Sequence, residues 1–151
     1  METNPTLSPA ETRDLRQLVG MMVPASEEYG VPAADDARIF ADILRSLGRD
    51  LGDVRTALDE LATLAGGPFA ELDAARAAAV AESFLASDSP AVAGLGRLVL
   101  FCYYRDDRVL RSLGMEPGPP FPKGHVVEPG DWSLLDAVRG RPRLWRDDRA
   151  G

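Results

Sequence analysis

The sequence predicts an all-α fold: a compact bundle of about five to seven helices, with a long Pro/Gly-rich loop before a short C-terminal helix. Apolar residues recur at the three- and four-residue spacing of a helix face over most of the chain. Helix starts and stops punctuate that pattern at regular intervals. No alternating apolar/polar segment is long enough to predict a strand. The 151 residues fit one domain, 1–151, with frayed ends over 1–8 and 141–151 and an irregular loop over 115–130.

Ser8-Pro9-Ala10-Glu11 reads as a first helix start, with Ser8 as cap, Pro9 at the first helical position and Glu11 closing a capping box. Leu15, Leu18, Val19 and Met22 fall on one face, and Pro24 ends the helix because it forces its predecessor out of the α region. Residues 24–33 read as a loop. A second helix starts near Ala34 or Asp35, with Ala37, Phe40, Ile43, Leu44 and Leu47 as its apolar stripe and Arg38 and Asp42 on its wet face. Gly48 stops it.

Asp50 is the expected cap of a third helix, with Leu51, Val54, Leu58, Leu61 and Ala65 inward, broken by Gly66-Gly67-Pro68. Phe69 and Leu72 are expected to tuck into the core. Asp73 caps an alanine-rich helix to about Ala86, with Ala77, Val80, Ala81 and Phe84 inward. Ser89-Pro90 opens the most apolar helix. Val92, Leu95, Leu98, Val99 and Cys102 share a stripe, Leu100 and Phe101 widen it, and this breadth predicts the central helix. Gly94 and Gly96 each cost about 1 kcal/mol of helix propensity, which makes sense if another backbone approaches there. A short helix over 107–113 stops at Gly114. Pro and Gly supply half of 115–130, a loop long enough to be associated with function. Asp131 caps a last helix carrying Trp132, Leu134, Leu135 and Val138.

The formal charge is −7, with 8 Lys+Arg against 16 Asp+Glu in residues 1–100, and 9 against 8 in 101–151. An acidic chain repels phosphate backbones, so no nucleic-acid partner is expected. Arg139, Arg141, Arg143, Arg146 and Arg149 form the one basic cluster, and Asp136, Asp147 and Asp148 interrupt it; it reads as a solvated face or a protein contact. No apolar run reaches the roughly 20 residues of a membrane span, so direct membrane insertion is not expected. Met1 to Pro9 has neither a secretory nor a twin-arginine pattern, which points to the cytoplasm, or to the periplasm if a partner carries the signal.

Side chains suited to catalysis are sparse. The single cysteine and single histidine, Cys102 and His125, build neither a disulfide nor a Cys/His zinc site. Cys102 reads as a buried inert thiol. His125 reads as a structural hydrogen-bonder, its rival role being a general base beside a carboxylate in a stand-alone enzyme. Asp35-Asp36, Asp106-Asp107 and Asp147-Asp148 are adjacent pairs that point in different directions on a helix, which makes them weak metal or acid–base candidates. Pro122-Lys123-Gly124-His125 lacks the spacing of a phosphate loop. No catalytic, cofactor or metal residue is therefore assigned.

The aromatics point elsewhere. Tyr103 and Tyr104 end the central helix, as core with hydrogen-bonded hydroxyls or as anchors for a partner. Phe121 between Pro120 and Pro122 is either a cap on the domain's own core or a rigid hook for another chain. Of the tryptophans, Trp132 reads as core and Trp145 as contact. The candidate partner interface is Tyr103, Tyr104, Phe121, Pro122, His125, Trp132 and Trp145.

The order of residues resembles the gluconate 2-dehydrogenase subunit 3 family over about residues 12–146. The likeness runs from Leu15-Arg16-Gln17-Leu18-Val19 and Met22-Val23-Pro24-Ala25 through Gly67-Pro68-Phe69. It is clearest in Phe101-Cys102-Tyr103-Tyr104-Arg105-Asp106-Asp107-Arg108-Val109-Leu110 and Leu113-Gly114, and continues at Phe121-Pro122-Lys123-Gly124-His125 and Asp131-Trp132-Ser133-Leu134-Leu135. The resemblance implies an all-helical accessory subunit without its own cofactor. Such a subunit binds and stabilises, in a chaperone-like way, the FAD-carrying large subunit of a glucose–methanol–choline-type sugar or alcohol oxidoreductase. A multihaem cytochrome often completes such complexes. Many members also carry a twin-arginine signal, a pattern Met1 to Pro9 departs from. Two other readings stay open: a diverged helical binding or regulatory module acting without a flavoprotein, and the stand-alone enzyme using His125.

Overall fold

A computed structural model describes residues 6–118, 124 and 128–142. The chain divides into two compact units, Met1–Pro117 and Gly118–Gly151, where the sequence reading treats it as one domain. Seven α-helices are present among the described residues, and no strand beyond one isolated bridge between Ser26 and Val31. The all-α expectation holds.

The first unit begins with α1 (Pro9–Met22). Ser8 Oγ accepts from the Glu11 N–H at 3.2 Å, and the Glu11 carboxylate accepts from the Ser8 N–H at 2.6 Å. The two bonds complete the expected capping box. Leu15, Leu18 and Val19 are fully buried. After Pro24 the chain makes a tight turn, closed by reciprocal backbone hydrogen bonds between Ser26 and Val31 at 3.0 Å.

Helix α2 (Ala37–Ser46) starts slightly later than the sequence suggests. Asp36, not a residue before it, supplies the cap, accepting from the N–H groups of Arg38 at 3.1 Å and Ile39 at 3.5 Å. Its buried residues are Ile39, Phe40 and Ile43, and Ala37 is exposed. Gly48–Asp50 then forms a 3-10 turn that runs directly into α3 (Leu51–Ala65). Asp50 therefore makes no side-chain cap, a correction to the sequence reading: its backbone is already helical, and the Leu51 N–H is taken by the Gly48 carbonyl. Gly66 ends α3 in the left-handed region at φ 75°, where a side chain would be strained.

Phe69 is fully buried in a 3-10 turn, Phe69–Glu71, pinned to α1 by the Ala70 N–H donating to Asp14 at 2.8 Å. Asp73 caps α4 (Ala74–Leu85), whose buried residues Ala77, Val80, Ala81 and Phe84 are those expected. Helix α5 (Pro90–Tyr103) packs against α2 and α3. Helix α3 meets α1, α4 and α5, so it is α3, and not α5 as the breadth of the apolar stripe predicts, that sits at the centre of this unit. Ser89 does not cap it; its hydroxyl donates to Glu60 at 2.9 Å instead. Asp106 caps the short α6 (Asp107–Ser112).

Among the described residues, the atoms nearest a Cβ placed at Gly94 or Gly96 belong to side chains and not to another backbone. A Cβ at Gly94 would meet the Arg97 and Asp53 side chains at 3.8 Å and 4.0 Å, and one at Gly96 would meet the Met22 Cε at 4.0 Å. Those are ordinary contact distances, so the expected close approach is corrected. The tight position is Gly20 in α1, where a Cβ would lie 2.9 Å from Asp35 Cγ.

In the second unit, Asp131 accepts from the Ser133 N–H at 3.0 Å and the Ser133 hydroxyl at 2.6 Å. A 3-10 turn, Trp132–Leu135, leads into α7 (Asp136–Arg139). Trp132 is 67% exposed, so it is not the core residue the sequence suggests.

Candidate functional site

The C-terminal half of α5 has two unlike faces. Leu95, Leu98, Val99, Cys102 and Tyr103 point into the core. Arg97, Leu100, Phe101 and Tyr104 follow one another at i, i+3, i+4 and i+7 and share the opposite face. Leu100, Phe101 and Tyr104 are 44%, 62% and 51% exposed. This corrects the expectation that Leu100 and Phe101 widen the buried stripe. Successive helical residues lie about 100° apart, so a run of apolar residues this long must turn some of them outward.

The same rotation separates the two tyrosines. Tyr103 is buried, with its hydroxyl donating to the Pro32 carbonyl at 3.1 Å, and burial pushes its phenol pKa upward. It is thus core and does not belong to an exposed interface as proposed from sequence. Tyr104 stays outside and packs edge-on against Tyr103, with ring centroids 5.4 Å apart and planes at 85°. That is the arrangement aromatic quadrupoles favour.

Charged groups fix this end of the helix. The Arg105 guanidinium lies 4.9 Å from the Phe101 ring centroid and is held by Asp42 at 2.9 Å from Nε and by the Ser46 hydroxyl at 2.9 Å. Its contact with the ring face is a cation–π attraction. Asp42 also accepts from Arg45 at 2.9 Å. Arg38, four residues before Asp42, turns instead to Asp106 at 3.7 Å.

Asp106 is the one buried charged residue among those described, with its side chain 4% exposed. It accepts from the Arg108 backbone N–H and Nε, both at 2.9 Å. Arg108 continues to Asp36 at 2.6 Å and so ties the α5–α6 corner to the start of α2. Hydrogen bonds from Arg108 hold both the Asp106 and the Asp36 carboxyls below the ordinary carboxylate range. One member of each of the pairs Asp35-Asp36 and Asp106-Asp107 is therefore an ion-pair partner of this arginine. Among the described residues no group of His, Cys, Asp and Glu is arranged to hold a metal ion.

Cys102 is buried, and desolvation raises its thiol pKa, which disfavours the nucleophilic thiolate. A cavity of about 170 Å³ lies beside it, lined by Arg38, Asp42, Arg105 and Asp106, whose charges are engaged with one another. A larger groove, about 440 Å³, runs along Phe101 between α5 and the 3-10 turn after α2, with Gly94, Leu98 and Arg97 on one side and Ser46, Arg49 and Asp50 on the other.

Of the sequence-assigned interface, Tyr104 is exposed on this face and Trp132 is exposed in the second unit. Phe121, Pro122, His125 and Trp145 lie outside the described residues. Sequence reasoning missed Leu100 and Phe101 as surface residues. The signal that finds them is Arg97, a charge one helical turn before them on the same face. It also missed the Arg108 junction, for which only the Arg/Asp richness of 105–108 is a hint.

These features define an all-α domain with an exposed aromatic and apolar strip on α5. No protein-family model, curated protein or solved structure matches the chain.

Proposed function

We propose that this chain is a non-catalytic small subunit that binds and stabilises a flavin-dependent, glucose–methanol–choline-type oxidoreductase subunit. The FAD resides in that partner, and this chain contributes none. The observation that carries the reading is the exposed Phe101–Tyr104 end of α5, which falls within the stretch where the family resemblance is clearest. Aromatic side chains held rigidly at a surface lose little entropy on docking and suit the centre of an interface. A subunit that binds only the folded partner stabilises it by mass action, about 2.7 kcal/mol at a hundredfold excess over Kd.

The test is co-expression with a flavin-containing large subunit, followed by size-exclusion chromatography monitored at the flavin absorbance. The expected result is co-elution with a yellow partner whose melting temperature falls when this chain is omitted. A partner equally soluble, stable and active without it overturns the reading.

A further inference from the structure

The charge distribution around α5 identifies the kind of partner segment its exposed face suits. Each of the other helices of the first unit carries at least one carboxylate: Glu11 and Asp14 on α1, Asp42 on α2, Asp53, Asp59 and Glu60 on α3, Glu82 on α4 and Asp107 on α6. Helix α5 carries none, although residues 1–100 hold 16 Asp+Glu against 8 Lys+Arg. Its outward strip instead begins with Arg97, exposed and without an ion-pair partner among the described residues, and runs through Leu100 and Phe101 to Tyr104, with Arg105 against the Phe101 ring. Three carboxylates lie beside this surface: Asp42, which is engaged by Arg105 and Arg45, Asp50, which lines the groove and lies 3.7 Å from Arg49, and Asp53, beside Gly94. The groove along Phe101 is roomy enough to take a large apolar side chain.

We infer that the strip Arg97–Leu100–Phe101–Tyr104, with the groove beside Phe101, docks an acidic segment of a partner polypeptide, whose apolar side chain enters the groove while its carboxylates meet Arg97. The acidic remainder of the domain repels the same segment and so orients it onto this face. The inference rests on the accessory-subunit reading only in taking the flavoprotein as the source of the segment.

The test uses the full 151-residue chain, isotopically labelled, titrated with a synthetic helical peptide of repeating Glu and Leu/Phe, and with the same peptide carrying Lys for Glu. The acidic peptide is expected to shift the amide signals of Gly94, Arg97 and Phe101 and to bind about tenfold more tightly than the lysine peptide, with affinity falling as salt is added. Arg97→Glu is expected to abolish the preference, and Phe101→Ser to weaken binding. Both positions are exposed, and unchanged circular dichroism verifies folding. No shifts up to about 1 mM peptide, equal binding of the two peptides, shifts confined to other surfaces, or an unchanged preference in Arg97→Glu each overturns the inference. The flavoprotein co-elution separates it from the reading above. A complex that survives Arg97→Glu overturns this docking surface alone. Acidic-peptide binding without flavoprotein association overturns the accessory reading and leaves the surface standing.

Discussion

Helix α5 and the helical stretch 132–139 carry similar local signals and reach opposite ends. Each follows a capping-type residue, Ser89 or Asp131, and each is rich in large apolar side chains. In α5, Leu95 and Val99 are completely buried, because the helix is long and has two neighbours, α2 and α3, to pack against. In the second unit Trp132, Leu134, Leu135 and Val138 are 67%, 76%, 40% and 54% exposed on a 3-10 turn and a single turn of helix. An apolar stripe becomes core only when another element covers it. The outward face of α5 makes the same point within one helix.

Core truncation tests this contrast most severely. Phe84→Ala or Leu95→Ala is expected to cost about 3–5 kcal/mol in a urea melt, since both side chains are fully buried and leave cavities. Leu134→Ala in the second unit is expected to cost less than about 0.5 kcal/mol. Equal losses would mean that the exposed stripe is covered after all.

Polar burial gives the next largest effect. Asp106→Ala removes a buried carboxylate from Arg108 and is expected to cost about 2–3 kcal/mol by chemical denaturation, below the usual penalty for breaking a buried pair. The discount arises because Arg108 keeps Asp36 and its side chain is 38% exposed. The half-buried neighbour Asp107 lies 3.5 Å from Arg111. Asp107→Ala is expected to change stability by about 0.5 kcal/mol or less.

A pH titration samples part of the same contribution. The Asp36 and Asp106 pKa values are lower in the folded chain than in the unfolded one. Their stabilisation is therefore fully present above the unfolded carboxylate pKa, about 3.9, and is lost as pH falls through the depressed folded values. Thermal melts from neutral pH into strong acid are expected to show this loss only at the acid end, and Asp106→Asn is expected to flatten it. An unchanged acid profile in that variant would remove the Arg108 junction as its source.

The smallest effect separates the adjacent tyrosines. Tyr103→Phe loses the hydrogen bond to the Pro32 carbonyl and is expected to cost about 1 kcal/mol, and Tyr104→Phe nothing measurable in the isolated chain. If the two variants melt alike, the inner and outer assignment fails.

Much of the helical framework was legible along the chain. The capping box at Ser8 and Glu11, the cap at Asp73, the α4 core residues and the stop at Gly66 all depend on neighbours within a turn or two of helix, and residue order specifies those neighbours. The candidate site was less legible. Tyr103 and Tyr104 are indistinguishable as letters, and a choice of face depends on where α2 and α3 lie. Helix starts also shifted where two adjacent acids compete, as at Asp35 and Asp36.

Residue order alone was sufficient for the all-α class, the approximate helix boundaries and most of the inward residues, because capping and helical periodicity are short-range effects. Packing between distant helices settled the rest. It brings Asp36 and Asp106 to one guanidinium, lets Arg105 reach back to Asp42, and leaves Leu100, Phe101 and Tyr104 uncovered. Those outcomes depend on which helices meet, and contacts between residues distant in sequence leave no periodic trace along the chain.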